Sequence, residues 1–178
     1  MIRRPAWANS SVEMQEYYDH YWGFPVHNDQ KLFEMLSLEL FQAGLTWQTI
    51  WKRRAAFEQA FANFVIEEVA TFDKKKIEQL CADPTIIRNR RKIEAVVNNA
   101  NVILQLRKKN ITFNDYIWQF VGGKAQRLVL TEGENLPAQT RKSQEISRQM
   151  RKAGFKFIGP TIIYSFMTAV GMVNARLE

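Results

Sequence analysis

The chain holds a single cysteine, Cys81, and only two histidines, His20 and His27. A lone cysteine cannot close an internal disulfide, and nothing here has the Cys/His spacing of a zinc site. No apolar run approaches the roughly 18 residues that a membrane span requires. The N-terminal "MIRRPAWANS" has basic residues but no apolar stretch behind them, so no signal peptide is expected. These shortages point to a reducing compartment, and a cytoplasmic protein is expected. There is no Ser-His-Asp arrangement, no Walker pattern and no glycine-rich nucleotide loop. Acidic residues are also in short supply. Against 25 Lys and Arg stand 18 Asp and Glu, a net charge of +7 that favours phosphate polymers as partners.

What the sequence has in abundance is helical periodicity. Apolar spacing predicts helices near 12–20, 29–43, 46–62, 66–71, 73–81, 89–109, 112–121, 143–153 and 160–172, with no long alternating strand pattern to compete. Asn28 and Asp29 are good caps for the second helix, Gly44 breaks it, and Thr46 can cap the next. The segment from Gly122 to Arg141 is the one long candidate loop. The expected fold is all-α, a single domain over residues 1–178 built as compact helical lobes.

One residue disturbs the second helix. At about 100° per residue, Leu32, Met35, Leu36, Leu40 and Ala43 share an arc of roughly 140°, and Glu39 falls inside it while Glu34 points away. A carboxylate facing a core is costly unless compensated. Glu39 is therefore either the partner of a buried donor or a functional group. Aromatic residues gather around it in sequence: Trp7, Tyr17, Tyr18, Tyr21 and Trp22 upstream, Trp47 and Trp51 just past the Gly44 break. Ring faces and a carboxylate both favour a flat, positively charged ligand.

Two further constellations suit nucleic acid. Arg88, Arg90 and Lys92 cluster where a helix opens, and such cations neutralise phosphates. In "GFKFIGPT" two glycines flank a short hairpin and Pro160 stands at the first turn of the following helix, a geometry that can grip a DNA backbone without reading sequence.

Three stretches, "YYDHYWGFPVHNDQKLFEMLSLELFQAGLTWQTIWKRRAAF", "IIRNRRKIEAVVNNA" and "GFKFIGPTIIYSFMTAVGMVN", resemble in order the DNA-3-methyladenine glycosylase I family of the helix-hairpin-helix superfamily. The resemblance implies an enzyme that flips 3-methyladenine out of double-stranded DNA into a pocket between the lobes and hydrolyses its glycosidic bond. It implies no cofactor, no membrane association and no strand cleavage, and the chain is expected to be a monomer. By the same match Glu39 hydrogen-bonds the flipped base, Tyr17 is its neighbour, Trp47 stacks on the base, and Trp7 and Trp22 complete the aromatic wall. Gly44 and Leu45 fall on the tip that enters the duplex. Gly154, Lys156, Gly159 and Thr161 fall on the hairpin that meets the DNA backbone, and Lys156 lies away from the position a lyase lysine would take. Most of the family staples its termini with a zinc held by two Cys and two His. Here the corresponding stretches carry Arg4, Tyr18 and "VNARLE", so no metal is expected. A non-catalytic binder of damaged DNA on the same fold is the competing reading. A sequence-specific regulator would need a polar recognition helix, and none is visible.

Overall fold

The computed structural model describes residues 2–128 and 135–177; the centre of the 122–141 segment, including Gly133, lies outside them. Among the described residues ten α-helices follow in order: α1 (Val12–His20), α2 (Asp29–Gln42), α3 (Trp47–Trp51), α4 (Arg54–Ala60), α5 (Ile66–Val69), α6 (Lys74–Ala82), α7 (Arg90–Lys108), α8 (Phe113–Trp118), α9 (Arg141–Lys152) and α10 (Pro160–Ala169). A 3₁₀ turn over Ala6–Asn9 precedes α1. Two strands that periodicity did not reveal, β1 (Gln126–Arg127) and β2 (Val173–Asn174), pair in parallel. No helix among the described residues is long and apolar enough to cross a membrane.

Helix α2 is the axis of the molecule. Every residue from Leu32 to Phe41 is buried, so it has no solvent face to set against its apolar one. This corrects the expectation for Glu34, which is not a surface acid but is 1% exposed. Its carboxylate takes Lys31 Nζ at 2.8 Å and Arg54 Nε at 2.8 Å. Burial pulls this carboxyl upward, but the Lys31 bond and the Arg54 charge outweigh it and hold it below its ordinary value. A buried acid satisfied in this way is an internal strut.

The helix expected over 46–62 is broken twice. Arg53 leaves the helical region and donates to the Pro84 and Thr85 carbonyls, which frees Arg54 to turn toward Glu34. Beyond α4, Ala62, Asn63 and Phe64 all take left-handed backbone angles. That conformation is unfavourable for each residue. It is held because Phe64 is fully buried, stacked on Phe61 at 5.6 Å, while Gln30 donates to the Asn63 carbonyl. Caps divide differently as well. Asn28 caps α2, whereas Asp29 reaches over to accept the Phe113 and Asn114 amides that open α8.

Lys92 also departs from its expected role as a phosphate contact. It is 6% exposed, and its ammonium donates inward to the Phe41 carbonyl at 2.8 Å and the Ala43 carbonyl at 2.6 Å. These are orphan carbonyls at the C-terminal end of α2, where a cation complements the helix dipole. Burial draws the Lys92 pKa down, yet the two acceptors keep the side chain in place. Asn98 and Asn99, farther along α7, bind the turn between α9 and α10: Asn98 donates to the Gly154 carbonyl, and Asn99 both accepts from the Lys156 amide and donates to its carbonyl. Replacing Lys92 by Met leaves both α2 carbonyls without a donor. Urea unfolding of Lys92→Met should show a loss of about 2–3 kcal/mol. A variant as stable as the parent but weaker on DNA would return Lys92 to the phosphate-binding group.

Candidate active site

Glu39, Tyr17, Trp47, Trp22 and Trp7 line one cavity of about 210 Å³, together with Gln42, Leu136, Ser165 and Thr168. That volume is below the roughly 300–1,000 Å³ of pockets for drug-sized ligands. It suits one small ring system. Residues scattered from position 7 to position 168 meet because α1, α2 and α10 converge there, with the 3₁₀ turn carrying Trp7 across the opening.

The walls are rings. Tyr17 lies 5.2 Å from Trp47 and 4.4 Å from Trp51, so Trp51 backs the wall from behind. Trp22 stacks on Tyr18 at 5.4 Å and 21°, and Trp7 meets both edge-on. Such pairs add to burial energy and fix ring orientation. They leave the cavity sides rigid before any ligand enters.

The polar groups behave differently. Glu39 is 4% exposed and makes no hydrogen bond or ion pair with any described residue. Burial alone pushes its carboxyl up to about 8. Burial, and then the Glu39 charge, push the Tyr17 phenol well above its ordinary value, so it remains an O–H donor. Trp47 Nε1 is buried with no acceptor among the described residues. An orphaned buried donor costs about 1–3 kcal/mol. Here the ring that carries that donor, an acid without a partner and a phenol line the same hollow. The arrangement can accept from one edge of a ligand, donate to it, and stack on its face.

The remaining residues singled out from the sequence lie on the outer surface. Gly44 and Leu45 form an exposed turn after α2, fixed by the Leu45 amide on the Gln42 carbonyl and by Gln42 Nε2 on the Leu45 carbonyl. Arg88 is exposed. Arg90 is exposed too but engaged by Glu78 at 2.7 Å and Glu94 at 3.6 Å, so its charge is partly spent. In the α9–α10 turn Gly154 has φ +103°, which a side chain tolerates poorly, whereas Gly159 has an ordinary φ of −59°. Lys156 and Thr161 are exposed beside it.

Sequence reasoning missed four cavity residues. Gln42 and Leu136 carry no signal of their own. Ser165 and Thr168 do: two hydroxyls three positions apart in the largely apolar α10 share one helix face, and both line the cavity. Thr168 Oγ1 is satisfied by the Tyr164 and Ser165 carbonyls, while the Ser165 hydroxyl has no partner among the described residues.

The methyladenine glycosylase family profile matches residues 7–178. DNA-3-methyladenine glycosylase 1 of Escherichia coli (strain K12) is 39% identical over 173 residues, covering 97% of this chain and 92% of that protein. DNA-3-methyladenine glycosylase of Haemophilus influenzae is 36% identical over 178 residues, covering 100% and 96%. Among solved structures, a 3-methyladenine DNA glycosylase I superposes with a TM-score of 0.93 at 37% identity over 97% of this chain and 94% of the other. A variant of such an enzyme in complex with 3-methyladenine also gives 0.93, at 33% identity over 97% and 93%. The architecture, helical as expected from the sequence apart from the short β1–β2 pair, is thus that of these glycosylases, and the chain belongs to the methyladenine glycosylase family.

Proposed function

We propose that the chain acts as a single-domain, monomeric hydrolase that removes 3-methyladenine from alkylated double-stranded DNA, with Glu39 and Tyr17 holding the extruded base, Trp47 stacked on it, and Trp22 and Trp7 closing the wall. The observation that carries this reading is the unpartnered Glu39 carboxyl on the cavity. Glu34, one and a half turns away on the same helix, has two cations. Glu39 has none, and burying it that way costs on the order of 5 kcal/mol once it ionises. A cationic ligand removes that cost.

The reaction asks little more. Methylation at N3 gives the attached adenine a positive charge and weakens its bond to the sugar. When the C1′–N9 bond breaks, the electron pair leaves with the base and neutralises it; water supplies hydroxyl to C1′ and releases a proton to solvent. No acid is needed to protonate the leaving group. Glu39 accepts from the amino edge and stabilises the cation, Tyr17 O–H donates to a ring nitrogen, and stacking on Trp47 contributes roughly 1–3 kcal/mol. Neutral adenine gains the stacking but not the ionic contact. Leu45, exposed at the turn after α2, fills the gap left in the duplex, and Gly44 lets that turn form. Arg88, Arg90, Gly154, Lys156, Gly159 and Thr161 meet the phosphates, and with no lysine at the hairpin helix start no Schiff base forms.

The zinc staple is replaced in this reading. Arg4 forms a two-point ion pair with Asp19, at 2.6 and 2.8 Å. Tyr18 lies under the Arg176 guanidinium at 4.3 Å, and its hydroxyl accepts the Leu177 amide. Two guanidiniums and a phenol hydroxyl that already accepts a backbone amide do not fit a divalent cation. Among the described residues no three His, Cys, Asp or Glu cluster as metal ligands.

Three outcomes are expected. Glu39→Gln should lower release of free 3-methyladenine from methylated DNA, followed by chromatography, by at least tenfold. It should also melt no lower than the parent at pH 8, because the ionised carboxylate strains the folded state there. The sign is fixed by the raised folded pKa: between its ordinary value and about 8 the folded state binds the extra proton, so stability falls as pH rises. Binding without release by the parent would instead favour a damaged-DNA binder. The pH dependence of KM gives the second test. Below about 8 a cationic base must expel the Glu39 proton, so KM should fall with rising pH from about pH 6 by up to about tenfold per unit and level off near 8. A flat profile in the parent, or the same slope in Glu39→Gln, would remove Glu39 from cation binding. Third, incubation with EDTA should leave both melting temperature and base release unchanged. Loss of either, restored by zinc, would reinstate a structural metal.

A further inference from the structure

We infer that Arg176 is a positioning residue for the base cavity, acting through the turn that carries Trp22. The inference rests on the reading of the cavity given above.

Helix α1 ends at His20, and both the Tyr21 and Trp22 amides turn back to one acceptor, the Tyr17 carbonyl. The Tyr18 carbonyl is thereby left without a backbone donor, and so is that of Trp22. Arg176 Nη1 takes both, at 2.5 and 2.6 Å. A guanidinium offers several donors in one plane and complements the negative end of a helix. This plane is also sandwiched: its carbon lies 4.3 Å from the Tyr18 ring centroid and 4.3 Å from that of Phe24. The next residue adds a third tie, the Leu177 amide to the Tyr18 hydroxyl at 3.0 Å. The aliphatic stem runs against Gly23, where an added Cβ would come within 2.8 Å of Arg176 Cγ, so glycine there leaves the Arg176 stem its path.

The Arg176 guanidinium therefore touches no cavity surface itself but fixes what does. Tyr18 is fully buried and stacks on Trp22; Trp22 lines the cavity; Trp7 leans edge-on against both and is 38% exposed. Without Arg176 the turn would still be attached. The Gly23 amide bonds the Ala169 carbonyl and the Val26 amide bonds the Val170 carbonyl, neither of which involves Arg176. What would be lost is the orientation of the Tyr18–Trp22 stack, not the fold. A wall that forms in the ground state governs binding more than bond cleavage, so the effect belongs in KM.

Arg176→Ala and Arg176→Lys are compared with the full-length parent. Free 3-methyladenine is titrated by tryptophan fluorescence, base release from methylated DNA is followed over substrate concentration, and near-ultraviolet circular dichroism reports the ring cluster. Arg176→Ala should raise the Kd for the base and the KM for DNA at least fivefold with kcat within twofold. Its ring dichroism should weaken while the far-ultraviolet spectrum stays unchanged. Arg176→Lys keeps a cation for the carbonyls but not the planar sandwich and should fall between; millimolar methylguanidinium should recover part of the affinity of Arg176→Ala. Parental Kd and ring dichroism in both variants would overturn the inference, as would a fall in kcat with KM unmoved. If Arg176→Ala does not fold, parental values in Arg176→Lys would overturn it. A parent that neither binds nor releases the base defeats the reading of the cavity instead, and the ring dichroism of the variants still decides the role of Arg176.

Discussion

A carboxyl group held in the middle of a helix with no solvent face is the constraint on which the rest of the molecule is arranged. Glu39 cannot swing to water, because α2 is buried at every position from Leu32 to Phe41. It has no cation either: Arg54, which enters this region, is engaged by Glu34 and Glu58. The two acids of α2 show how burial and charge divide the work. Glu34 is neutralised permanently and braces α2 against α4. Glu39 stays uncompensated, with burial keeping its pKa near 8, and so is sensitive to any positive charge that comes beside it. A stability loss of this size is tolerable only because the aromatic residues around it are packed tightly enough to offset it.

Rigidity around that group has a chemical reason. A carboxylate in a soft pocket would draw in water, and its pKa would relax toward the ordinary value. The ring wall prevents this by mutual packing: Trp51 behind Tyr17 and Trp47, Tyr18 behind Trp22, and Trp7 between the two sides. Besides Glu39 and Tyr17, the Ser165 hydroxyl on the cavity and Trp47 Nε1 in its wall lack partners among the described residues. The hollow is thus apolar with a few convergent polar groups, the general character of a binding site.

Much of this was legible in the sequence, and the failures have identifiable causes. Helix positions followed from periodicity because the core is helical almost everywhere, and α1, α7 and α10 lie within a few residues of expectation. The position of Glu39 was legible because an acid inside an apolar arc is anomalous whatever lies around it. Glu34 was misread for the complementary reason: the wheel assumes that a helix has an outside, and α2 has none. The break at Arg53 and the left-handed turn at Ala62–Phe64 depend on partners far away in sequence, Pro84, Thr85 and Gln30, which local pattern cannot supply. Lys92 was misplaced because charge clustering gives composition but not direction. Its neighbours Arg88 and Arg91 do face outward.

That inward turn of Lys92 gives α7 a wider meaning. The helix rises about 1.5 Å per residue. Lys92 and the Asn98–Asn99 pair are therefore separated by about 10 Å along one rigid element. One end holds the carbonyls of Phe41 and Ala43, immediately before the Gly44–Leu45 turn; the other clamps the backbone at Gly154 and Lys156. In the proposed reading these are the two features that meet DNA, one entering the duplex and one gripping its backbone. Fixing both to two turns of the same helix sets their separation without any contact between them. A wedge that must enter where a base leaves needs its distance to the phosphates fixed before binding, since any slack would be removed at the expense of affinity. The last residues of α2 run from the acid to this wedge, since Glu39 lies five positions before Gly44. The depth of Glu39 in the cavity and the reach of Leu45 are consequently set by one length of helix, so in the proposed reading the base is received at the height where the gap is filled.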